Sequence, residues 1–140
     1  MEIRMIVRRF EKGDLQKVDL QDEQKHEIEG VEYPSDMSFT VEHNGDIVGC
    51  FAVLEITKKR AAIYSFISRN AGKTMFKMVK KFKAMLDDGI EKTGMDRVEM
   101  TVLSGFKHGE RFAEMLGFEC EGVMRKYYKG KDYKLYARVK

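Results

Sequence analysis

Residues 61–86 read AAIYSFISRNAGKTMFKMVKKFKAML, and two kinds of periodicity meet there across a short turn. Ala61 to Ser68 is a compact apolar run with aromatic and β-branched members, which predicts a strand. From Lys73 to Asp88, residues Met75, Phe76, Met78, Val79, Phe82, Met85 and Leu86 recur at the three-and-four spacing of a helical stripe, with Lys73, Lys77, Lys80, Lys81 and Lys83 elsewhere. Arg69-Asn70-Ala71-Gly72 joins the two. The first amides of a helix have no partner inside it, and the positive end of the helix dipole adds to them, so a glycine-bearing entry lets an anion such as a pyrophosphate approach closely. The same residues also suit a plain turn and cap, and the local pattern leaves both readings open. Gly72-Lys73-Thr74 matches the end of the nucleotide-binding P-loop. That motif also needs a glycine where this chain has Ile67, so it fails.

Working outward, Asn44-Gly45 supplies the two positive-φ residues of a tight hairpin, which predicts pairing of Met37 to His43 with Asp46 to Ile56. The second of these strands is apolar on both parities, with Phe51 and Val53 against Cys50, Ala52 and Leu54, as expected for a strand covered on both faces. Met1 to Arg8 alternates as an opening strand, and the acidic stretch after it reads as surface helix, with Gly13 and Asp14 as its start signal. Downstream, Arg97 to Leu103 is a strand and His108 to Leu116 a short helix that Gly117 ends in a left-handed cap. Val123 to Tyr128 and Tyr133 to Val139 flank a turn at Lys129-Gly130-Lys131-Asp132. This order predicts an α/β (α+β) fold: a mixed, mostly antiparallel sheet of about six or seven strands with helices on both faces.

The chain has 140 residues, a length that fits one domain spanning residues 1–140, and its single proline, Pro34, marks no linker. Nine Phe and six Tyr supply enough apolar area for a core, which excludes disorder although 35% of residues are charged. The net charge of +3 is too small to mark an obligate nucleic-acid binder. Eight acids stand against three lysines between Glu11 and Glu32, whereas Lys73 to Lys83 and Arg125 to Lys140 are basic, so an anionic ligand should prefer the second half. The early acids suit a cationic amine or basic peptide as acceptor. The five lysines of the long helix are read as a solvated face ahead of a nucleic-acid contact.

Two cysteines, Cys50 and Cys120, form neither a disulfide framework nor a zinc pair, and Cys50 reads as a core residue. His26, His43 and His108 are scattered and read as surface or turn residues, so no metal is expected. No apolar run approaches the roughly 18 residues that cross a bilayer, and no signal peptide is evident, which points to the cytoplasm.

Arg69-Asn70-Ala71-Gly72-Lys73-Thr74 resembles the Arg/Gln-x-x-Gly-x-Gly/Ala loop of the GNAT acetyltransferase superfamily, with Thr74 departing from the final small residue. Glu110 to Phe118, closing in Leu116-Gly117-Phe118, resembles that family's late helix. The resemblance covers residues 37–140 and implies an acetyl-CoA-dependent N-acetyltransferase acting on an amine of a small molecule or protein. It assigns the coenzyme to the strand end Phe66 and Ile67 and to Arg69, Asn70, Ala71, Gly72, Lys73 and Thr74. Many members have a tyrosine, the general acid, where this chain has Ala113, and an asparagine where it has Phe106. Glu55, at the end of the apolar strand, and Tyr64, on its neighbour, are the remaining candidates for base and acid. The lysine-rich helix and the Arg111-Phe112 pair also resemble the short GNAT-like proteins of tailed phages, including the internal virion protein A family. That likeness implies an alternative: a non-catalytic phage structural or host-interacting protein, contacting nucleic acid through its basic helix, in the virion or the host cytoplasm.

Overall fold

A computed structural model of the chain describes residues 5–29, 31, 37–72 and 74–140. Met1 to Arg4, Pro34 and Lys73 lie outside them. The described residues form seven strands: β1 (Met5–Arg9), β2 (Ser38–His43), β3 (Asp46–Thr57), β4 (Arg60–Ile67), β5 (Arg97–Leu103), β6 (Glu119–Tyr128) and β7 (Lys131–Val139). They also form two helices, α1 (Thr74–Thr93) and α2 (Lys107–Met115). The strands make one sheet in the order β1-β2-β3-β4-β5-β7-β6. Pairs β1–β2, β2–β3, β5–β7 and β6–β7 are antiparallel, and β4–β5 is parallel over Arg60–Ala62 against Arg97–Glu99. The mixed, mostly antiparallel sheet is the expected one, and Arg97–Leu103 keeps its expected bounds.

Contacts divide the chain into two compact units, one of residues 1–53 and 64–78, the other of residues 54–63 and 79–140. In the first, Phe10, Leu15, Val18, Leu20, Cys50 and Phe66 form a buried cluster. Asn44 and Gly45 take φ of 51° and 89°, the two left-handed residues expected of the β2–β3 turn. β3 is buried on both parities only through Ala52; Leu54, Glu55 and Ile56 are exposed.

The acidic stretch departs from expectation. Among its described residues it holds two short 3-10 turns, Leu15–Lys17 and Asp22–Glu27, and no α-helix. Leu15, Val18 and Leu20 are all buried, and at 3.6 residues per turn Leu20 would lie about 140° around a helix from Leu15. The backbone therefore extends at Val18, and Leu20 bridges to Ser68. A polar network anchors the segment. Asp14, 2% exposed, accepts hydrogen bonds from Arg8 (2.8 and 3.1 Å), from the Glu11 N–H (2.8 Å) and from the Thr40 hydroxyl (2.7 Å). Burial works to raise its carboxyl, and these bonds outweigh it, holding the group down at about 2.

In the second unit, Val98, Met100 and Val102 alternate inward along β5, and Phe82 meets Phe112 edge-on with centroids 6.4 Å apart. Leu116, Gly117 and Phe118 close α2. The Gly117 N–H bonds the Glu114 carbonyl (3.0 Å), the Phe118 N–H bonds the Ala113 carbonyl (3.1 Å), and Gly117 takes φ of 91°. This is the Schellman arrangement, so the expected left-handed cap forms, and Leu-Gly-Phe is here a device that ends a helix.

Candidate functional site

β4 delivers the chain into the turn before α1, and the acidic segment holds that turn from the side. Ser68 N–H bonds the Val48 carbonyl (2.9 Å), and Arg69 N–H bonds the Asp19 carbonyl (2.9 Å). The Arg69 guanidinium donates to the Leu20 carbonyl at 2.6 and 3.2 Å and to Asp22 at 3.1 Å. The Asn70 amide donates to Asp19 (2.9 Å). Asp22 is held below the usual carboxylate range by its bonds from Lys25 and Arg69. Asp14, Asp19 and Asp22, expected to greet a cationic acceptor, thus have partners within the chain.

The main-chain donors divide sharply. Asn70 N–H is taken by the Ser68 hydroxyl (3.0 Å), Ala71 N–H by the Ser68 carbonyl (3.1 Å) and Thr74 N–H by the Ala71 carbonyl (2.9 Å). Among the described residues no acceptor takes the Gly72 N–H. A Cβ built on Gly72 would meet nothing closer than the Asn70 carbonyl at 3.8 Å, so its face is open, and its φ is 48°. The Met75 N–H is taken as well, by the Gly72 carbonyl (3.2 Å), so among the described residues from Asn70 to Met75 the donor that could face an anion narrows to Gly72. Phe66, Ile67 and Ala71 are buried beside the turn, and Arg69 and Asn70 act through side chains that fix it.

His43 corrects the sequence reading, which left it as a surface or turn residue. It ends β2 partly buried, with Nδ1 2.7 Å from the Thr74 hydroxyl, and Thr74 is 1% exposed. Its Nε2 is buried and has no hydrogen-bond partner among the described residues. The departure of Thr74 from the family's small residue thus has a local cause: its hydroxyl joins the helix start to β2. Sequence could have flagged only the pairing of an unusual Thr74 with a histidine before Asn44-Gly45. A cavity of about 440 Å³ lies against this turn, lined by Ser68, Asn70, His43, Arg8, Lys17 and Asp46 among others.

Glu55 on β3 and Tyr64 on β4 are both exposed, Tyr64 at 45%. Neither sits in a low-dielectric pocket. Ala113 is fully buried within the capped end of α2, and Phe106 is buried at the entry to α2. Cys50 is fully buried, its thiol pushed up to about 12 by burial, which fits a core residue. Among the described residues no group of His, Cys, Asp or Glu could hold a metal ion, and no helix is long and apolar enough to cross a membrane.

No protein-family model and no curated protein matches the chain in sequence, so the narrower likeness to phage proteins gains no support. Solved structures match its fold. The GNAT-family acetyltransferase from Bacillus anthracis aligns with a TM-score of 0.73 and 17% identity, over 97% of this chain and 95% of that one. The spermidine/spermine N-acetyltransferase SpeG from Vibrio cholerae, solved with manganese ions, gives 0.66 and 17%, over 97% and 92%. The microcin self-immunity acetyltransferase MccE, solved with acetyl-CoA and AMP, gives 0.63 and 17%, over 74% of this chain and 60% of that one. At such identities the likeness is one of architecture: the chain has the fold seen in GNAT acetyltransferases.

Proposed function

We propose that residues 1–140 form one acetyltransferase domain that binds acetyl-CoA at the turn between β4 and α1 and passes the acetyl group to an amine of a small molecule or protein. One observation carries this reading. In a fold shared almost end to end with acetyltransferases, the Gly72 N–H has no acceptor among the described residues, while the amides of Asn70, Ala71, Thr74 and Met75 are engaged. Support also comes from the MccE structure, which holds acetyl-CoA, and from the name of SpeG, which gives a polyamine acceptor.

Bound acetyl-CoA supplies a thioester whose acetyl group moves to the amine as the thiol leaves. The chain's own work is to bind and position. The Gly72 N–H takes the diphosphate, aided by the positive end of the α1 dipole and by the charge of Lys73 next in sequence. Arg69, Asn70 and the His43–Thr74 pair keep that turn in place. Glu55 is the group we assign to accept the amine's proton, directly or through water, and Tyr64 the group to return one to the thiolate. With Ala113 in place of the usual tyrosine, positioning carries a larger share of the rate than acid catalysis does.

The test is a calorimetric titration of the full chain with acetyl-CoA, followed by transfer assays with polyamines and with peptides bearing free N-termini. Binding with a Kd below about 1 mM, equivalent to roughly −4 kcal/mol, is expected. No heat at that concentration removes the enzymatic reading and leaves the architecture.

A further inference from the structure

The parallel ladder between β4 and β5 covers Arg60–Ala62, yet β4 runs on to Ile67. Beyond the ladder, glutamine side chains from the acidic segment occupy β4's main-chain groups. The Gln24 amide donates to the Ser65 carbonyl (3.0 Å), and its oxygen accepts from the Ile67 N–H (3.4 Å). Gln21 donates to the Ile67 carbonyl (3.2 Å). In a parallel sheet, one residue of the neighbouring strand bonds in this way, giving to the residue before its partner and taking from the residue after it. Gln24 thus imitates a single strand residue opposite Phe66. It is 8% exposed, so the imitation is made out of water.

The geometry points to Gln24, assisted by Gln21, as an internal latch that an incoming extended, amide-bearing arm displaces amide for amide. This rests on the reading that coenzyme A is the ligand. Coenzyme A joins its diphosphate to its thiol through a chain with two secondary amides. With the diphosphate at Gly72, that chain laid back along β4 reaches the carbonyl of Ser65 and the N–H and carbonyl of Ile67. Main-chain pairing of this kind is strand addition. The glutamine amides keep those groups satisfied until the arm arrives, because unpaired buried main-chain groups are costly. The affinity for coenzyme A is then set by an exchange, and the latch is a competitor inside the chain.

The sign of the effect separates a latch from a supporting residue. Titrations of the parent, Gln24→Ala and Gln24→Asn are compared for coenzyme A and for 3′-phosphoadenosine 5′-diphosphate, which carries the nucleotide and lacks the arm. Gln24→Asn is the milder change, since its shorter side chain cannot span both main-chain groups. Thermal melts confirm that each variant is folded. The latch predicts coenzyme A binding at least about tenfold tighter in the variants, about 1.4 kcal/mol, with nucleotide affinity unchanged. Binding by the variants alone also supports it. Unchanged or weaker coenzyme A binding overturns the latch and spares the proposed function. Equal tightening of both ligands overturns it as well, since that reports general loosening. Coenzyme A binding by neither parent nor variants overturns the proposed function, and the latch with it.

Discussion

The two segments that carry the family resemblance, Leu116-Gly117-Phe118 and Arg69 to Thr74, each turn on a left-handed glycine, and they use their main chains in opposite ways. At the first, the N–H groups of Gly117 and Phe118 are both bonded back into α2, and Leu116 and Phe118 are buried. Nothing is left over. At the second, side chains do the fastening, through Arg69, Asn70 and Thr74, and the Gly72 N–H has no acceptor among the described residues, with open space where its Cβ would stand. A cap that is satisfied internally builds the fold; a turn fastened by its side chains, with a main-chain donor spare, can serve a ligand. The contrast explains how the first motif keeps its structural role with Ala113 and Phe106 at the positions where the family it resembles has tyrosine and asparagine.

The largest expected effect belongs to the cap. Leu116→Ala removes a fully buried side chain and should cost about 3 kcal/mol in urea unfolding. Coenzyme affinity measured on the folded fraction should stay as it was. A large change in affinity would break the division of labour.

Next comes acid. The Asp14 carboxyl is lowered from 3.8 to about 2 in the folded protein, so its bonds contribute in full above 3.8 and are lost as pH falls towards 2. The difference is worth about 2 kcal/mol. Asp14→Asn should lose that amount at neutral pH and flatten the stability profile between pH 4 and 2, as read by unfolding midpoints across that window. Because Asp14 anchors the segment that holds Arg69 and Asn70, acid should lower the amide protection factors, taken relative to intrinsic exchange at each pH, at residues 69–71 before it does so at residues 113–118.

Exchanging the two glycines for alanine sharpens the comparison. Gly117→Ala and Gly72→Ala each place an L-residue at positive φ, worth about 1 kcal/mol of stability. Only Gly72→Ala should weaken coenzyme binding, about tenfold, because its methyl group enters the open face. The smallest stability effects belong to Glu55→Gln and Tyr64→Phe, exposed changes expected to stay within about 0.5 kcal/mol. Their signature is kinetic: kcat should fall at least about 100-fold for a side chain that moves a proton.

Much of the architecture was legible from short-range chemistry. Asn44-Gly45, the apolar spacing that makes α1 a helix, the alternation of β5 and the Gly117 cap are each decided by a few neighbouring residues, although two members of the expected apolar stripe, Phe76 (78%) and Met85 (41%), are exposed. The acidic segment was not legible, because Leu15, Val18 and Leu20 follow the shape of the cluster around Phe10 and Phe66 and no repeating period. The site was half legible. Gly72 follows from the motif, but the engagement of its neighbours' amides depends on Asp19 and on the Ser68 hydroxyl. His43, Gln21 and Gln24 reach it from distant parts of the chain. Polar side chains that satisfy a remote main chain leave no periodic mark.

The most direct test is an amide nitrogen–proton correlation spectrum of the isotope-labelled protein, recorded while coenzyme A is added. The account predicts that the Gly72 cross-peak is among the first and farthest to move, together with the opening residues of α1, while Gly117 and Phe118 stay still. A titration in which Gly72 does not move, or in which only the outer lysine face of α1 responds, would contradict it.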